Sequence, residues 1–176
     1  MFIDIEDLKP EALHVRHEYG SGELKFEHDD ASLLAPVLVE FTLTHQGREL
    51  QIEGAVSTEM RRLCSRCLRE CRYPLSTRFA LSYLPQPALT GRDEEIELKD
   101  RDLAVGFYDG IRLDVDLMSL EQIELSMPMK FLCSDDCRGL CPKCGANLNI
   151  TRCDCRTEAT DSRLAALLEF RKKIDQ

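Results

Sequence analysis

The cysteines are the residues whose type and spacing are best suited to chemistry. The chain has nine cysteines in 176 residues and no recognisable export signal at its N-terminus. Because the cytosol keeps thiols reduced, we expect metal binding or thiol chemistry rather than disulfides. Eight of the nine fall into a mid-chain pair and a later group of six: Cys64, Cys67, Cys133, Cys137, Cys141, Cys144, Cys153 and Cys155.

The spacing of these eight cysteines predicts two metal sites. A C-x-x-C turn brings two thiolates to one ion, and four thiolates complete a tetrahedral zinc site. Between Cys141 and Cys144 a proline fixes one φ angle, and Gly145 can adopt a positive φ. We favour one site closed locally by the last four cysteines, which span 15 residues. In the other site, Cys64 and Cys67 meet the remaining two cysteines, about 66 residues further along the chain.

Other assignments of the cysteines remain open. Cys64 and Cys67 could instead share an ion with Cys141 and Cys144, because that pairing fits the spacing equally well. Cys71 is left over, and we interpret it as a small buried side chain. Iron or an iron–sulfur cluster would also accept four thiolates, but zinc is the metal we predict, with two ions per chain. A redox-active pair at Cys64 and Cys67 is the main competitor, although no clear helix follows to lower a thiol pKa.

The predicted sites are structural rather than catalytic. A catalytic zinc keeps an open coordination position, whereas these cysteines form two complete sets of four. The four histidines lie far from them in sequence: His14, His17, His28 and His45. No phosphate-binding loop, nucleophile elbow or HExxH motif is present. We therefore expect no catalytic residue and no enzymatic activity.

The composition indicates one globular domain, or one domain with a small appendage. The chain is 43% hydrophobic and 31% charged, with a formal net charge of −9. Such a balance argues against a protein that coats nucleic acid or an anionic membrane with its whole surface. The longest apolar run has seven residues, whereas a membrane span needs roughly 20. We expect no membrane association and a cytoplasmic location.

Alternation of apolar and polar residues predicts a sheet that positions the first cysteine pair. Three successive strands are expected over residues 37–44, 50–63 and 73–83. A hairpin turn at 46–47 joins the first two, and Gly54 is a candidate bulge. Three antiparallel strands in sequence make a meander. The predicted fold class is therefore α+β, with an antiparallel β-sheet core, two or three helices and a cysteine-rich zinc-binding C-terminal segment.

Helices are expected around the cysteine-rich segment. One lies near residues 114–127, with Asp114 or Asp116 as its cap. Its expected apolar face comprises Leu117, Leu120 and Ile123. A C-terminal helix is expected after Thr160 or Asp161, with an apolar stripe of Leu164, Leu167 and Leu168. The acidic stretch 92–102 is interpreted as a solvated loop, with short strands expected at 96–98 and 103–108.

These elements suggest two domains. The first, residues 1–130, is a β-rich core that includes the pair Cys64 and Cys67 and the helix near 114–127. The second, residues 131–176, is a zinc-ribbon-like tail that ends in the C-terminal helix. We expect the two to pack as one unit.

A group of arginines departs from the acidic character of the whole chain. Between residues 61 and 78, six arginines stand against the single acidic residue Glu70, a local charge of 6 − 1 = +5. The six are Arg61, Arg62, Arg66, Arg69, Arg72 and Arg78. Because guanidinium groups bind phosphates and stack on bases, we predict an RNA-binding patch. The alternative is that these arginines pair with carboxylates across the sheet.

Several segments resemble the bacterial YceD family of large ribosomal RNA subunit accumulation proteins. The matching segments are LCSRCL at 63–68, LSMP at 125–128, LCSDDCRGLCPKCGANLN at 132–149, CDC at 153–155 and DSRLAAL at 161–167. The resemblance extends from about residue 35 to the end, and the cysteine-rich tail is its most specific part. It implies that Cys64, Cys67 and the segment 133–137 occupy positions where the family carries residues of the metal-ligand type.

The resemblance implies a non-enzymatic protein needed for 23S ribosomal RNA to accumulate. Such a protein would bind precursor ribosomal RNA or the assembling pre-ribosomal particle, and no catalytic residue carries over. Two other functions remain open. The net charge of −9 would also suit an adaptor for a ribosomal protein or an assembly factor. A thiol-based redox switch would show easily oxidised Cys64 and Cys67 and no stoichiometric metal.

Overall fold

The computed structural model describes residues 1–86 and 105–155. Within these ranges the chain forms eight strands, one short 3-10 helix and one α-helix. In chain order they are β1 (Phe2–Asp4), the 3-10 helix (Ile5–Asp7), β2 (Leu13–Tyr19), β3 (Ala31–Leu33), β4 (Val37–Gln46), β5 (Glu49–Leu63), β6 (Glu70–Pro85), β7 (Val105–Tyr108), β8 (Arg112–Asp114) and α1 (Val115–Ser126).

The chain divides into two compact units. The first unit comprises Met1–Leu63 and Glu70–Phe131, and it contains every strand and helix named above. The second comprises Cys64–Arg69 together with the chain from Leu132 onward. The short connection between β5 and β6 therefore belongs with the cysteine-rich segment, whereas the division expected from the sequence grouped Cys64 and Cys67 with the sheet.

The main sheet of the first unit contains the predicted meander. Strands β4, β5 and β6 pair antiparallel in sequence order, with Val39 opposite Val56 and Val56 opposite Thr77. Strand β2 extends the sheet on the β4 side, and β7 pairs with β6 in parallel, so the sheet is mixed. Strand β3 pairs with part of β5, and β1 and β8 form a separate two-stranded sheet.

The core of the first unit follows from the alternation in the sequence. The inward-facing side chains of β4 are all buried: Val37, Val39, Phe41 and Leu43. On β6 the alternate residues Leu75 and Phe79 are buried in the same cluster. Each large apolar side chain removed from water in this way contributes roughly 1.5–3 kcal/mol. The meander and its core therefore account for the long, regular hairpin that carries the Cys64–Arg69 connection.

Helix α1 begins where the sequence predicted. Of its expected apolar face, Ile123 is buried and Leu120 packs partly buried against the core, but Leu117 does not. The carboxylate of Asp114 caps the helix by accepting the backbone N–H groups of Asp116 and Leu117. The buried residues of α1 are Val115, Met118, Ser119, Gln122 and Ile123. Leu117, which the sequence placed on the apolar face, is 54% exposed. A helical stripe that starts at Val115 continues three, four, seven and eight residues later, and Leu117 falls outside it.

The predicted bulge at Gly54 is wrong. The register runs without interruption through Gly54, which lies opposite Phe41 on β4 and Phe79 on β6. A Cβ at this position would contact the carbonyl oxygen of Glu40 and lie 2.5 Å from the Cβ of Phe41. Glycine is needed here because the neighbouring strand approaches closely, not because the strand has an extra residue.

Some expected elements lie outside the described residues. These are the acidic stretch 92–102, the strand at 96–98 and the C-terminal helix with Leu164, Leu167 and Leu168. Strand β7 covers the later part of the strand expected at 103–108. The described ranges contain one α-helix, so the expected number of two or three is not confirmed. No helix within these ranges is both long enough and apolar enough to cross a membrane.

Candidate metal centres

The connection between β5 and β6 folds as a tight turn that presents two thiols. We call this segment, Cys64–Arg69, the first knuckle. The backbone N–H of Leu68 donates to the carbonyl oxygen of Cys64 at 2.9 Å, and the N–H of Cys64 donates to the carbonyl oxygen of Arg69, also at 2.9 Å. Leu68 adopts a positive φ of 57° to complete the turn. The sulfurs of Cys64 and Cys67 are thereby directed to one place.

The segment after Leu132 brings two more thiols to this place. The Sγ atoms of Cys64 and Cys137 lie 3.7 Å apart, as do those of Cys67 and Cys133. All four sulfurs lie within 4.8 Å of one another. Sulfurs about 2.3 Å from a tetrahedral zinc ion are separated by about 3.8 Å. The four thiols therefore fit a tetrathiolate zinc site, and three of them are buried.

The second cluster is formed by Cys141, Cys144, Cys153 and Cys155, whose sulfurs also lie within 4.8 Å of one another. Its turn matches the first knuckle, because the N–H of Gly145 donates to the carbonyl oxygen of Cys141 at 2.9 Å and Gly145 has a φ of 72°. This cluster is more open than the first, since Cys144 is exposed. The grouping of sulfurs is the one that the sequence favoured, and Cys71 lies in neither cluster.

The turns make one thiol of each knuckle acidic. Burial raises the pKa of Cys64, but the backbone N–H groups of Cys67 and Arg66 outweigh it and lower that pKa to about 6. The backbone N–H groups of Cys144 and Lys143 lower the pKa of Cys141 to about 6 in the same way. N–H groups that stabilise a thiolate prepare it as a metal ligand.

The neighbouring thiols keep their protons in the absence of a cation. The backbone N–H of Arg69 lowers the pKa of Cys67, but burial and the hydrogen bond to Cys64 together raise it to about 12. The hydrogen bond to Cys144 and burial raise the pKa of Cys155 to about 12. A divalent cation would replace these shared protons, because thiolates rather than thiols are its ligands.

Cys137 is held in place by Asn149, which sequence reasoning missed, and by Arg66, which it had assigned to RNA binding. The side-chain N–H of Asn149 donates to the Sγ of Cys137 at 3.4 Å, and its carbonyl oxygen accepts the backbone N–H of Arg138 at 2.8 Å. The guanidinium of Arg66 donates to the carbonyl oxygen of Cys137 at 2.8 Å. The signal for Asn149 was its position two residues after Asn147, an arrangement typical of side-chain-stabilised turns.

The four arginines on the sheet are placed differently from one another. Arg61 and Arg72 lie opposite each other on β5 and β6, and each forms an exposed ion pair, with Glu70 at 3.4 Å and Glu59 at 3.3 Å respectively. This matches the alternative of cross-strand pairing. Arg78 is exposed on β6, six residues beyond Arg72, a distance of about 20 Å along a strand.

Arg62 is buried, with 6% of its surface exposed. One of its terminal nitrogens donates to the carbonyl oxygen of Pro128 at 3.4 Å, and its guanidinium lies 5.6 Å from the centre of the Phe131 ring. Its other two nitrogens have no hydrogen-bond partner among the described residues. The two remaining arginines, Arg66 and Arg69, belong to the first knuckle. RNA binding by this group of six stays a prediction.

The described residues thus define a mainly β protein that carries two clusters of four cysteines, each with sulfurs close enough together to hold a metal ion. Residues 52–171 match the family model described as "Large ribosomal RNA subunit accumulation protein YceD". The match covers more than half of the chain, and the chain belongs to the YceD family.

Comparison with curated proteins finds relatives in plants and bacteria. The chain is 25% identical over 162 residues to a large ribosomal RNA subunit accumulation protein YCED homolog 1, chloroplastic, of Arabidopsis thaliana, covering 80% of this chain and 50% of the relative. The Zea mays protein of the same name is 26% identical over 147 residues, covering 69% of this chain and 49% of the relative. The chain thus spans about half the length of these plant relatives.

A bacterial relative matches over most of both chains. The uncharacterized protein YlbN of Bacillus subtilis is 23% identical over 155 residues, which is 88% of this chain and 85% of the relative. No solved structure matches the chain.

Proposed function

We propose that this protein is a non-enzymatic, zinc-binding factor that promotes the accumulation of 23S ribosomal RNA by binding the precursor RNA or the assembling large subunit. The observation that carries the proposal is the match of residues 52–171 to the YceD family. Plant relatives that share this family carry the same description in their names.

Zinc in a structural role is supported by the chemistry of the donors. Each cluster offers four cysteine sulfurs at separations that suit tetrahedral coordination. Four thiolates complete the coordination of zinc, so no position is left for water or substrate. When bound, the ions would fix the two knuckles, and the chain's own Asn149 and Arg66 would orient Cys137.

The RNA contact is best assigned to Arg66 of the first knuckle. Arg61 and Arg72 are engaged with carboxylates on the sheet, and Arg62 is buried. Arg66 is exposed, and one of its guanidinium N–H groups donates to the carbonyl oxygen of Cys137. A guanidinium has five N–H donors, so the others remain for a phosphate.

A second candidate function is supported by a groove in the first unit. An open groove of about 550 Å³ lies between α1 and strands β6 and β7, and Phe107, Leu117 and Leu125 on it are exposed. Asp109, Asp114 and Glu121 line it together with Arg112, which pairs with Asp109 at 3.6 Å. Burial, followed by repulsion from neighbouring carboxylates, raises the pKa of Glu121. This combination suits a basic, amphipathic segment of a ribosomal protein.

Co-purification with and without nuclease distinguishes the two functions. We expect the zinc-loaded chain to bring down large-subunit ribosomal RNA from its host, and we expect nuclease treatment to remove the associated ribosomal proteins. Ribosomal proteins that remain bound after complete RNA digestion, together with no binding to purified large-subunit RNA, would favour the adaptor. Deletion of the gene should lower the ratio of 23S to 16S ribosomal RNA, and an unchanged ratio would contradict both functions.

A further inference from the structure

Leu68 occupies a backbone conformation that leucine rarely adopts. Its φ is 57°, and it is the one non-glycine residue of the described ranges with a positive φ. A side chain at such a φ crowds the neighbouring carbonyl oxygen, so this region is normally left to glycine or asparagine. The turn cannot relax, because the N–H of Leu68 is held by the carbonyl oxygen of Cys64 at 2.9 Å.

The second cluster shows what the turn itself requires. There the residue after the second cysteine of the knuckle is Gly145, with a φ of 72° and the equivalent hydrogen bond to Cys141. The two turns thus have the same geometry, but one carries glycine and the other a large apolar side chain. The turn gains nothing from a leucine at this position, since glycine closes it without strain.

The side chain of Leu68 does not contribute to a core. It is 60% exposed, and the apolar cluster around the first site consists of other residues: Cys64, Cys67, Cys137, Leu132, Cys133 and Leu140. A single exposed leucine is ordinary, but one that also strains the backbone is not explained by the stability of the fold. Its side chain is therefore available to something outside the chain.

The neighbours of Leu68 indicate the chemistry of that partner. Arg66 and Arg69 flank it in the first knuckle, and residues 64–69 contain no acidic side chain. RNA offers a phosphate for Arg66 and, where it is single-stranded, the faces of unstacked bases for Leu68. Proteins that bind the DNA minor groove insert leucine and other apolar side chains between base steps, and a leucine can pack on an unstacked base in the same way.

We propose that Leu68 is the apolar contact of an RNA-binding tip formed by the first knuckle, where it packs against an unstacked base while Arg66 binds the adjacent phosphate. The inference rests on the proposed function, because it names the residue through which the chain reads RNA. The first cluster holds this tip rigid: Cys64 and Cys67 fix both ends of the turn.

The test compares Leu68→Gly and Leu68→Ala with the wild type, as full-length, zinc-loaded chains. Glycine removes the backbone strain and the side chain together, so we expect a raised Tm and an affinity for transcribed large-subunit ribosomal RNA that is lower by about tenfold or more. Alanine keeps the strain and shortens the side chain, so its affinity should fall with no rise in Tm. A role in folding alone would not produce opposite changes in stability and binding.

The salt dependence separates this contact from the arginine contact. Arg66→Gln should lower the dependence of log K on log salt by about one phosphate contact, whereas Leu68→Gly should leave that slope unchanged. Ile150→Ala is the matched control, since Ile150 is a 78% exposed apolar residue of the same unit. Its binding should equal that of the wild type.

Three outcomes would overturn the inference in distinguishable ways. If Arg66→Gln weakens RNA binding and Leu68→Gly does not, the proposed contact of Leu68 with a base is wrong, while the proposed function stands. If Ile150→Ala weakens binding as much as Leu68→Gly, the effect is one of general surface hydrophobicity. If the wild type binds no large-subunit RNA, the inference and the proposed mode of action fail together.

Discussion

Arg62 shows how a residue can satisfy a sequence pattern and yet serve another purpose. In the sequence it belongs to a run of arginines with a charge of +5. In the structure its guanidinium is buried against Pro128 and Phe131, with two nitrogens unpartnered among the described residues. Buried polar groups without partners cost free energy, so Arg62 contributes less to stability than its burial suggests.

We expect Arg62→Met to leave the free energy of unfolding within about 1 kcal/mol of the wild type or to raise it, because methionine fills a similar volume without desolvating a charge. Chemical denaturation measures this directly. Arg62→Glu is the contrasting variant and should be strongly destabilised, since it buries an unpaired carboxylate. A loss of more than about 2 kcal/mol in Arg62→Met would show that the guanidinium makes a favourable contact.

At the scale of elements, patterns that are local in the sequence predicted the strands correctly, whereas the contacts between strands distant in sequence were not predicted. The alternation over 37–44 and 73–83 predicted strands that are present. The turn expected at 46–47 lies one residue later, at 47–48, where it joins β4 to β5. Gly54 was misassigned because a bulge and a close strand approach both select glycine. The parallel pairing of β7 with β6 could not be predicted, since it depends on contacts between segments distant in sequence.

The cap of α1 provides a test at this scale. Asp114 accepts two backbone N–H groups, at 3.0 and 3.1 Å. Asp114→Ala should therefore lower the free energy of unfolding by about 1 kcal/mol, whereas Asp114→Ser, which retains a capping oxygen, should lower it much less. Thermal unfolding of the three proteins is the measurement. Equal destabilisation by alanine and serine would show that the cap is not the source of the effect.

On the scale of the whole molecule, the described parts of the two units differ in the size of their apolar cores. The first unit has an extended apolar core built from the sheet and α1. In the second, the described apolar cluster comprises three buried cysteines with Leu132, Cys133 and Leu140 packed against them. Because this described core is small, we expect bound metal to supply much of the free energy that orders residues 132–155.

We expect the purified chain to contain two zinc ions and to lose the structure of its second unit when they are removed. Structural zinc contributes roughly 10–16 kcal/mol per site in finger peptides. Chelation should therefore collapse the dispersion of amide NMR signals from 132–155 while those of β4, β5 and β6 persist. Re-addition of zinc should restore them. Metal-free protein with unchanged spectra would contradict the role of both clusters.

The sequence predicted the spatial grouping of the cysteines better than the placement of the arginines. Spacing and the local closure over 15 residues favoured the same grouping of sulfurs that the structure shows. The positions of cysteines that bind one ion are constrained, because four sulfurs must meet at one point. An arginine in a strand can lie on either face of the sheet, where it can form an ion pair, be buried or remain exposed. The different positions of Arg61, Arg62 and Arg66 follow from this lack of constraint.

The separation of Cys67 from Cys133 by 66 positions also sets an order of events during synthesis. When β5 and β6 emerge from the ribosome and pair, Cys64 and Cys67 at their connecting turn do not yet have the other two cysteines of their cluster. They must wait until residue 137 has been translated. The second cluster, by contrast, closes soon after its own segment appears. If the hairpin pairs before residues 133 and 137 have emerged, its two turn thiols lack their partner ligands at that stage and are open to a wrong metal or to oxidation.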